Sequence, residues 1–110
     1  MVSVGKRVKN FTLPATGEQN LSLIDFVGRY LIIYFYPKDN TPGCTREGQD
    51  FRDLYPDFVA ADTDIVGVSR DTVRTHENFK TKHEFPFHLL SDKEETLCKQ
   101  FDVIKEKKLY

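Results

Sequence analysis

The run Tyr30-Leu-Ile-Ile-Tyr-Phe-Tyr36 is apolar or aromatic at every position and is closed by Pro37. A run of this length and composition reads as a strand buried on both faces in a parallel sheet. A helix start follows it. Thr41 can serve as the N-cap, Pro42 then falls at N1, where its missing N–H costs nothing, and Cys44 lands at N3 inside the first turn. The unpaired N–H groups of that turn and the positive end of the helix dipole favour a thiolate over a thiol. A free cysteine is more commonly a small buried hydrophobe. Its place at a strand-to-helix junction is what makes Cys44 a candidate nucleophile.

Upstream, Val8-Lys-Asn-Phe-Thr-Leu-Pro14 alternates loosely and runs into Ala-Thr-Gly17, a short strand and a turn. Leu21-Ser-Leu-Ile-Asp-Phe-Val-Gly28 is too brief to choose between strand and helical turn. Downstream, Phe51, Leu54, Tyr55, Phe58 and Val59 fall at i, i+3, i+4, i+7 and i+8, one broad core-facing stripe. Gly48 weakens the middle of this helix, and Pro56 predicts a kink or break within the turn before it. Residues 64–69 form a short apolar strand, Asp71 is placed to cap a surface-lying helix over 72–83, and 85–90 form another strand. Ser91-Asp-Lys-Glu94 has the pattern of a capping box, opening a helix with Leu97, Cys98 and Phe101 on one side. Strands alternating with helices imply parallel crossovers and an α/β layered fold.

One hundred and ten residues are expected to make one domain, 1–110, with one core. Sixteen basic residues nearly balance seventeen acidic ones, so no global field draws the chain to nucleic acid or to an anionic membrane. No apolar run approaches a membrane span, and Met1-Val-Ser-Val-Gly-Lys-Arg lacks the apolar stretch of a secretory signal, which points to a reducing cytoplasm. Two distant cysteines form neither a disulfide framework nor a zinc pattern, leaving redox or nucleophilic chemistry. His76 and His83 could share a helix face, but with no third close ligand His76, His83 and His88 read as surface or packing residues and no metal is implied. The basic tail Lys105-Glu-Lys-Lys reads as a solvated end.

The stretch Pro37-Lys-Asp-Asn-Thr41-Pro-Gly-Cys44 fits the P-x-x-x-T-x-x-C signature of peroxiredoxins. With Tyr34-Phe-Tyr before it and Thr45-Arg-Glu after, it resembles the bacterioferritin comigratory, or Q-type, branch. The resemblance extends from Phe11-Thr-Leu-Pro through Gly67-Val-Ser-Arg-Asp and Leu90-Ser-Asp to the last residues. It implies a thioredoxin-like three-layer fold of the peroxiredoxin type, with 21–28 as a helical turn leading into the sheet. In that fold further C-terminal strands complete the sheet, one of them beside the strand over 30–36. The chain is therefore expected to be truncated at its C-terminal end, or to receive the strand from a partner such as a second copy, by dimerisation or strand exchange at an open edge.

The resemblance further implies a cofactor-free thiol peroxidase, an antioxidant enzyme reducing hydrogen peroxide and organic hydroperoxides through a sulfenic acid on Cys44. Thr41 would hydrogen-bond the thiolate and the peroxide, Pro37 would shield the site, and the Gly43 and Cys44 amides would be further donors. Thr41 can equally be only an N-cap, and Pro37 only a strand stop. Glu47, one turn after Cys44, would orient an active-site arginine that the family takes from a later strand, or is simply a solvated helix residue. No arginine here matches that position; Arg46 and Arg70 are near in sequence only. Many Q-type members place a resolving cysteine five residues after the first, where this chain has Gln49. Cys98, beside Leu97 and Phe101, reads as a core residue, so an external thiol such as thioredoxin, glutaredoxin or glutathione is the expected reductant. The rival from another class is a non-catalytic thioredoxin-like module or inactive fragment. A disulfide reductase is disfavoured because the chain has no Cys-x-x-Cys.

Overall fold

A computed structural model describes residues 2–104. In chain order its regular elements are β1 (Thr12–Ala15), β2 (Gln19–Ser22), a 3-10 turn (Leu23–Phe26), β3 (Tyr30–Phe35), α1 (Pro42–Ala60), β4 (Thr63–Ser69), α2 (Val73–His83), β5 (His88–Ser91) and α3 (Thr96–Gln100). The strands form one sheet in the order β2-β1-β5-β4-β3. β3, β4 and β5 are parallel, bridged by α1 and α2, while β1 runs antiparallel to β2 and β5.

Strand alternation splits the interior into two clusters. Val66, Val68 and Leu90 face one side, where they meet Leu13 and Ala15 beneath Phe26 of the 3-10 turn and Leu97 of α3. Ile65 and Leu89 face the other, with Tyr34 and Tyr36, beneath Cys44 of α1 and Phe79 of α2. Helices on both faces of one sheet make the expected three-layer α/β arrangement. Phe79, Phe87, Leu89, Leu90 and Leu97 are all but fully buried, each contributing about 1.5–3 kcal/mol of transfer free energy. No helix of the described residues is long and apolar enough to cross a membrane.

Several local expectations are corrected. β3 packs on both faces but is an outer strand of the described sheet, so its side chains are mostly half-buried and Tyr30 is 74% exposed. β2 is polar and forms by pairing with β1 across a hairpin, with no apolar pattern of its own. α1 runs unbroken through Pro56, whose missing N–H removes a single backbone bond near the helix end. Of the α1 stripe, Phe51, Tyr55 and Phe58 pack on the core while Leu54 and Val59 are about half exposed. The helix therefore meets the sheet along a narrower line than the sequence pattern suggests.

α2 is capped by Thr72, whose hydroxyl accepts from Thr75 N (3.2 Å), and it buries His76 and Phe79 rather than lying on the surface. In place of a capping box at 91–94, α3 starts from Glu95 in the left-handed region, and the Asp92 carboxylate accepts from the Leu97 and Cys98 amides. The Lys105 tail lies outside the described residues.

Candidate active site

β3 and β4 run parallel, so the turn leaving β3 emerges at the carboxyl end of the sheet, where open α/β sheets place their sites. Tyr36 N still donates to Val68 O (3.1 Å), and Pro37, with no N–H to give, ends the ladder. The chain turns through Asn40 at φ 64° and enters α1. Thr41 takes the N-cap position with extended backbone, and its carbonyl accepts the first helical bond from Thr45 N (2.8 Å). Its hydroxyl does not cap. Thr41 Oγ1 donates instead to Lys38 O (3.1 Å), inside the same turn, so the first-turn amides of Gly43 and Cys44 lack the partner a side-chain cap would supply.

Pro37, Thr41, Cys44 and Glu47 line one open cleft of about 580 Å³, together with Phe35, Tyr36 and Gly43. All four candidate residues are thus brought together. Cys44 is a free cysteine, 9% exposed, at the third helical position, its side chain packed in the cluster with Tyr34, Tyr36 and Phe85. Glu47 stands on the exposed rim, and partial burial pushes its carboxyl up from the ordinary value. The Tyr34 phenol is pushed up by burial first and then by the charges of Glu47, Asp39 and Cys44, and its buried hydroxyl has no hydrogen-bond partner among the described residues.

Behind the turn lies a polar cluster that the sequence reading misses. Asp39 and His76 are buried, with His76 Nδ1 2.7 Å from Asp39 Oδ2 and His76 Nε2 donating to Leu90 O (2.9 Å). Tyr36 donates to Asp39 Oδ1 (2.5 Å), and burial, followed by the adjacent Asp39 charge and this hydrogen bond, holds the Tyr36 phenol protonated. The Asp39 amide donates to Asp71 Oδ2 (2.8 Å), the role Asp71 has in place of capping α2. Ligand-capable atoms of Asp39, Asp71 and His76 lie within 4.8 Å of one another, each residue engaged in these hydrogen bonds. The one sequence signal for the cluster is that His76 falls one turn after Val73 and one before Phe79, the two apolar positions of α2, and so shares their core-facing side.

The other nominated residues lie elsewhere. Arg46 pairs with Asp50 on α1 (3.8 Å) and Arg70 with Glu95 (2.9 Å). Among the described residues no lysine or arginine lines the cleft. Gln49 lies 3.5 Å from His83 Nδ1 at the end of α2. Cys98 is fully buried on α3, its amide bonded to Asp92 Oδ2 (2.7 Å), and its neighbour Leu97 packs in the cluster on the opposite sheet face from Cys44.

Residues 4–110 match the model of the AhpC/TSA family. The chain is 53% identical over 102 residues to peroxiredoxin Bcp of Xanthomonas campestris pv. campestris, covering 91% of this chain and 64% of that one. It is 44% identical over 107 residues to peroxiredoxin Bcp of Bacillus subtilis, covering 97% and 68%. It thus spans about two thirds of the length of these relatives. Among solved structures, the bacterioferritin comigratory protein of Xanthomonas campestris, described for its alkyl peroxide reduction activity, superposes with a TM-score of 0.86 at 51% identity, covering 91% of this chain and 64% of that one. BcpB of Mycobacterium tuberculosis superposes at 0.87 with 35% identity, covering 96% and 68%.

Proposed function

The chain belongs to the AhpC/TSA family and, within it, to the bacterioferritin comigratory or Q-type peroxiredoxins, and on that premise we propose that it is a thiol-dependent peroxidase acting on hydrogen peroxide and organic hydroperoxides through Cys44. The observation that carries this reading is the place of Cys44 at the third position of α1, in one cleft with Pro37, Thr41 and Glu47. The Cys44 sulfur gives an electron pair to one peroxide oxygen, the O–O bond breaks, and the other oxygen leaves with a proton as water or alcohol. Cys44 becomes a sulfenic acid.

The Gly43 and Cys44 amides donate to the charge developing on the departing oxygen. Thr41 Oγ1, its proton engaged by Lys38 O, offers its lone pairs to the hydroperoxide O–H. Pro37 walls the cleft and limits water, and Glu47, on the rim, is placed to orient a cationic group brought to it. The alkyl peroxide activity of the Xanthomonas relative supports organic hydroperoxides as a substrate class.

The cycle closes through an external thiol, with thioredoxin, glutaredoxin and glutathione as the candidate reductants. The thiol attacks the sulfenic sulfur, water leaves, and a second thiol releases Cys44 from the mixed disulfide. Gln49 at the position of the usual resolving thiol and the complete burial of Cys98 support this cycle. A reducing cytoplasm is the compartment that suits it, and a second copy pairing along the outer edge of β3 is the oligomer that suits the sheet.

A peroxide-consumption assay with each reductant tests the reading. Turnover should vanish in Cys44→Ser and persist in Cys98→Ala. A quantitative Cys44–Cys98 disulfide after peroxide would refute the external-thiol cycle. A folded chain with no turnover would favour the non-catalytic module, which the lack of a cationic side chain among the described cleft residues supports.

A further inference from the structure

Resting on that reading and deepening it, we propose that Asp39 and His76 are positioning residues for the Cys44 site: a buried carboxylate–imidazole pair with one shared proton fixes the 37–41 turn, and with it Thr41 and the first turn of α1. The proton count follows from the partners. His76 Nε2 faces the Leu90 carbonyl, which can only accept, so Nε2 carries a hydrogen. Asp39 Oδ1 already accepts from the Tyr36 hydroxyl, and Oδ2 lies 2.7 Å from His76 Nδ1. One proton must therefore sit between Nδ1 and Oδ2. Whichever atom holds it, the pair has no net charge, and full burial then leaves no uncompensated ion.

The reach of the pair follows from Asp39 alone. Its carboxylate ties the turn to Tyr36 just beyond β3 and, through His76, to α2 and to the Leu90 carbonyl of β5. Its amide ties the turn to the Asp71 carboxylate, which also accepts from Ser69 Oγ (2.8 Å), while the Asp71 carbonyl accepts from Ser91 Oγ (2.5 Å). Pro37 and Thr41 stand two residues to either side of Asp39, and among the described residues the hydroxyl of Thr41 bonds within the turn, to Lys38 O. Asp39 thus anchors from behind the turn that brings Thr41 into the cleft with Cys44. Loss of the pair lets the turn drift and leaves buried polar atoms without partners.

Asparagine at 39 separates positioning from mere burial. Asp39→Asn keeps an acceptor for Tyr36 and presents an N–H to the Nδ1 of a neutral His76, so that every bond survives with the shared proton replaced by a covalently held one. Asp39→Ala loses both side-chain bonds of Asp39, and His76→Phe loses both ring bonds and leaves only Tyr36 donating to the Asp39 carboxylate. The readout is the rate of Cys44 oxidation by hydrogen peroxide divided by its rate of alkylation by iodoacetamide, which needs the thiol but not Thr41.

The ratio should fall at least about tenfold in Asp39→Ala and His76→Phe and stay within about threefold of wild type in Asp39→Asn, since misplacement on the order of 1 Å costs up to about 100-fold. His76→Gln, which can keep only one of the two ring bonds, carries the same expected fall where Asp39→Ala does not fold. An unchanged ratio in the disrupting variants, or Asp39→Asn as impaired as Asp39→Ala, overturns the proposal. A folded wild type inert to peroxide sinks the peroxidase reading instead. Amide exchange over 38–45 then decides: faster exchange in Asp39→Ala, restored in Asp39→Asn, supports the clamp, and equal exchange in all three overturns it.

Discussion

Gly48 lies beneath Phe85 so closely that a methyl group on its Cα would overlap the ring, with Phe85 Cε2 3.0 Å from that position. A glycine in the middle of a helix lowers its stability by about 1 kcal/mol relative to alanine, and the close approach of α1 to Phe85 is what it permits. Gly48→Ala should therefore destabilise the fold although it improves helix propensity, because overpacking costs about 1–3 kcal/mol. A lower urea midpoint with an unchanged slope would show it, whereas a higher midpoint would mean that Phe85 moves aside freely.

Partial burial raises the Glu47 carboxyl above its ordinary 4.5. A carboxyl raised on folding binds its proton more tightly in the folded than in the unfolded chain. Its contribution is therefore most favourable below the ordinary value and is lost as pH rises through the folded one. Glu47→Gln should flatten the fall in stability from about pH 4 to pH 7, by less than about 1 kcal/mol because the group is largely exposed. Urea midpoints at the two ends of that range check the sign: a wild type that gains stability across it relative to Glu47→Gln would contradict the assignment.

Gln49 follows Cys44 by five positions within α1, so the two lie about 7.5 Å apart along the axis, beyond the roughly 7 Å that a disulfide spans. Gln49→Cys should therefore yield a peroxide-dependent disulfide with Cys44 only if the first turns of α1 unwind. Peptide mapping paired with far-UV circular dichroism checks this. Disulfide with loss of helical signal is the predicted result, and disulfide with α1 intact would contradict the geometry.

The junction at 41–44 is legible in the sequence because cap position, proline and thiol are neighbours in the chain, and β4 and β5 are legible because burial leaves them apolar. The alternation of β3, α1, β4, α2 and β5 gives the α/β class for the same reason. The Asp39–His76 pair is not legible, since 37 positions separate its members and folding alone brings them together. Neither is β2, whose strand conformation comes from pairing with β1. At 91–94 the local pattern misleads. Asp92 reaches past the apparent capping box to the amides of Leu97 and Cys98, so tertiary hydrogen bonding rather than sequence spacing sets the start of α3.

Trapping of sulfenic acid by a dimedone-type reagent, after one equivalent of hydrogen peroxide and read by peptide mass mapping, tests the role of Cys44 most directly. The predicted result is a label on Cys44 and not on Cys98, absent in Cys44→Ser. A folded chain that carries no label on Cys44, or carries it chiefly on Cys98, would contradict it.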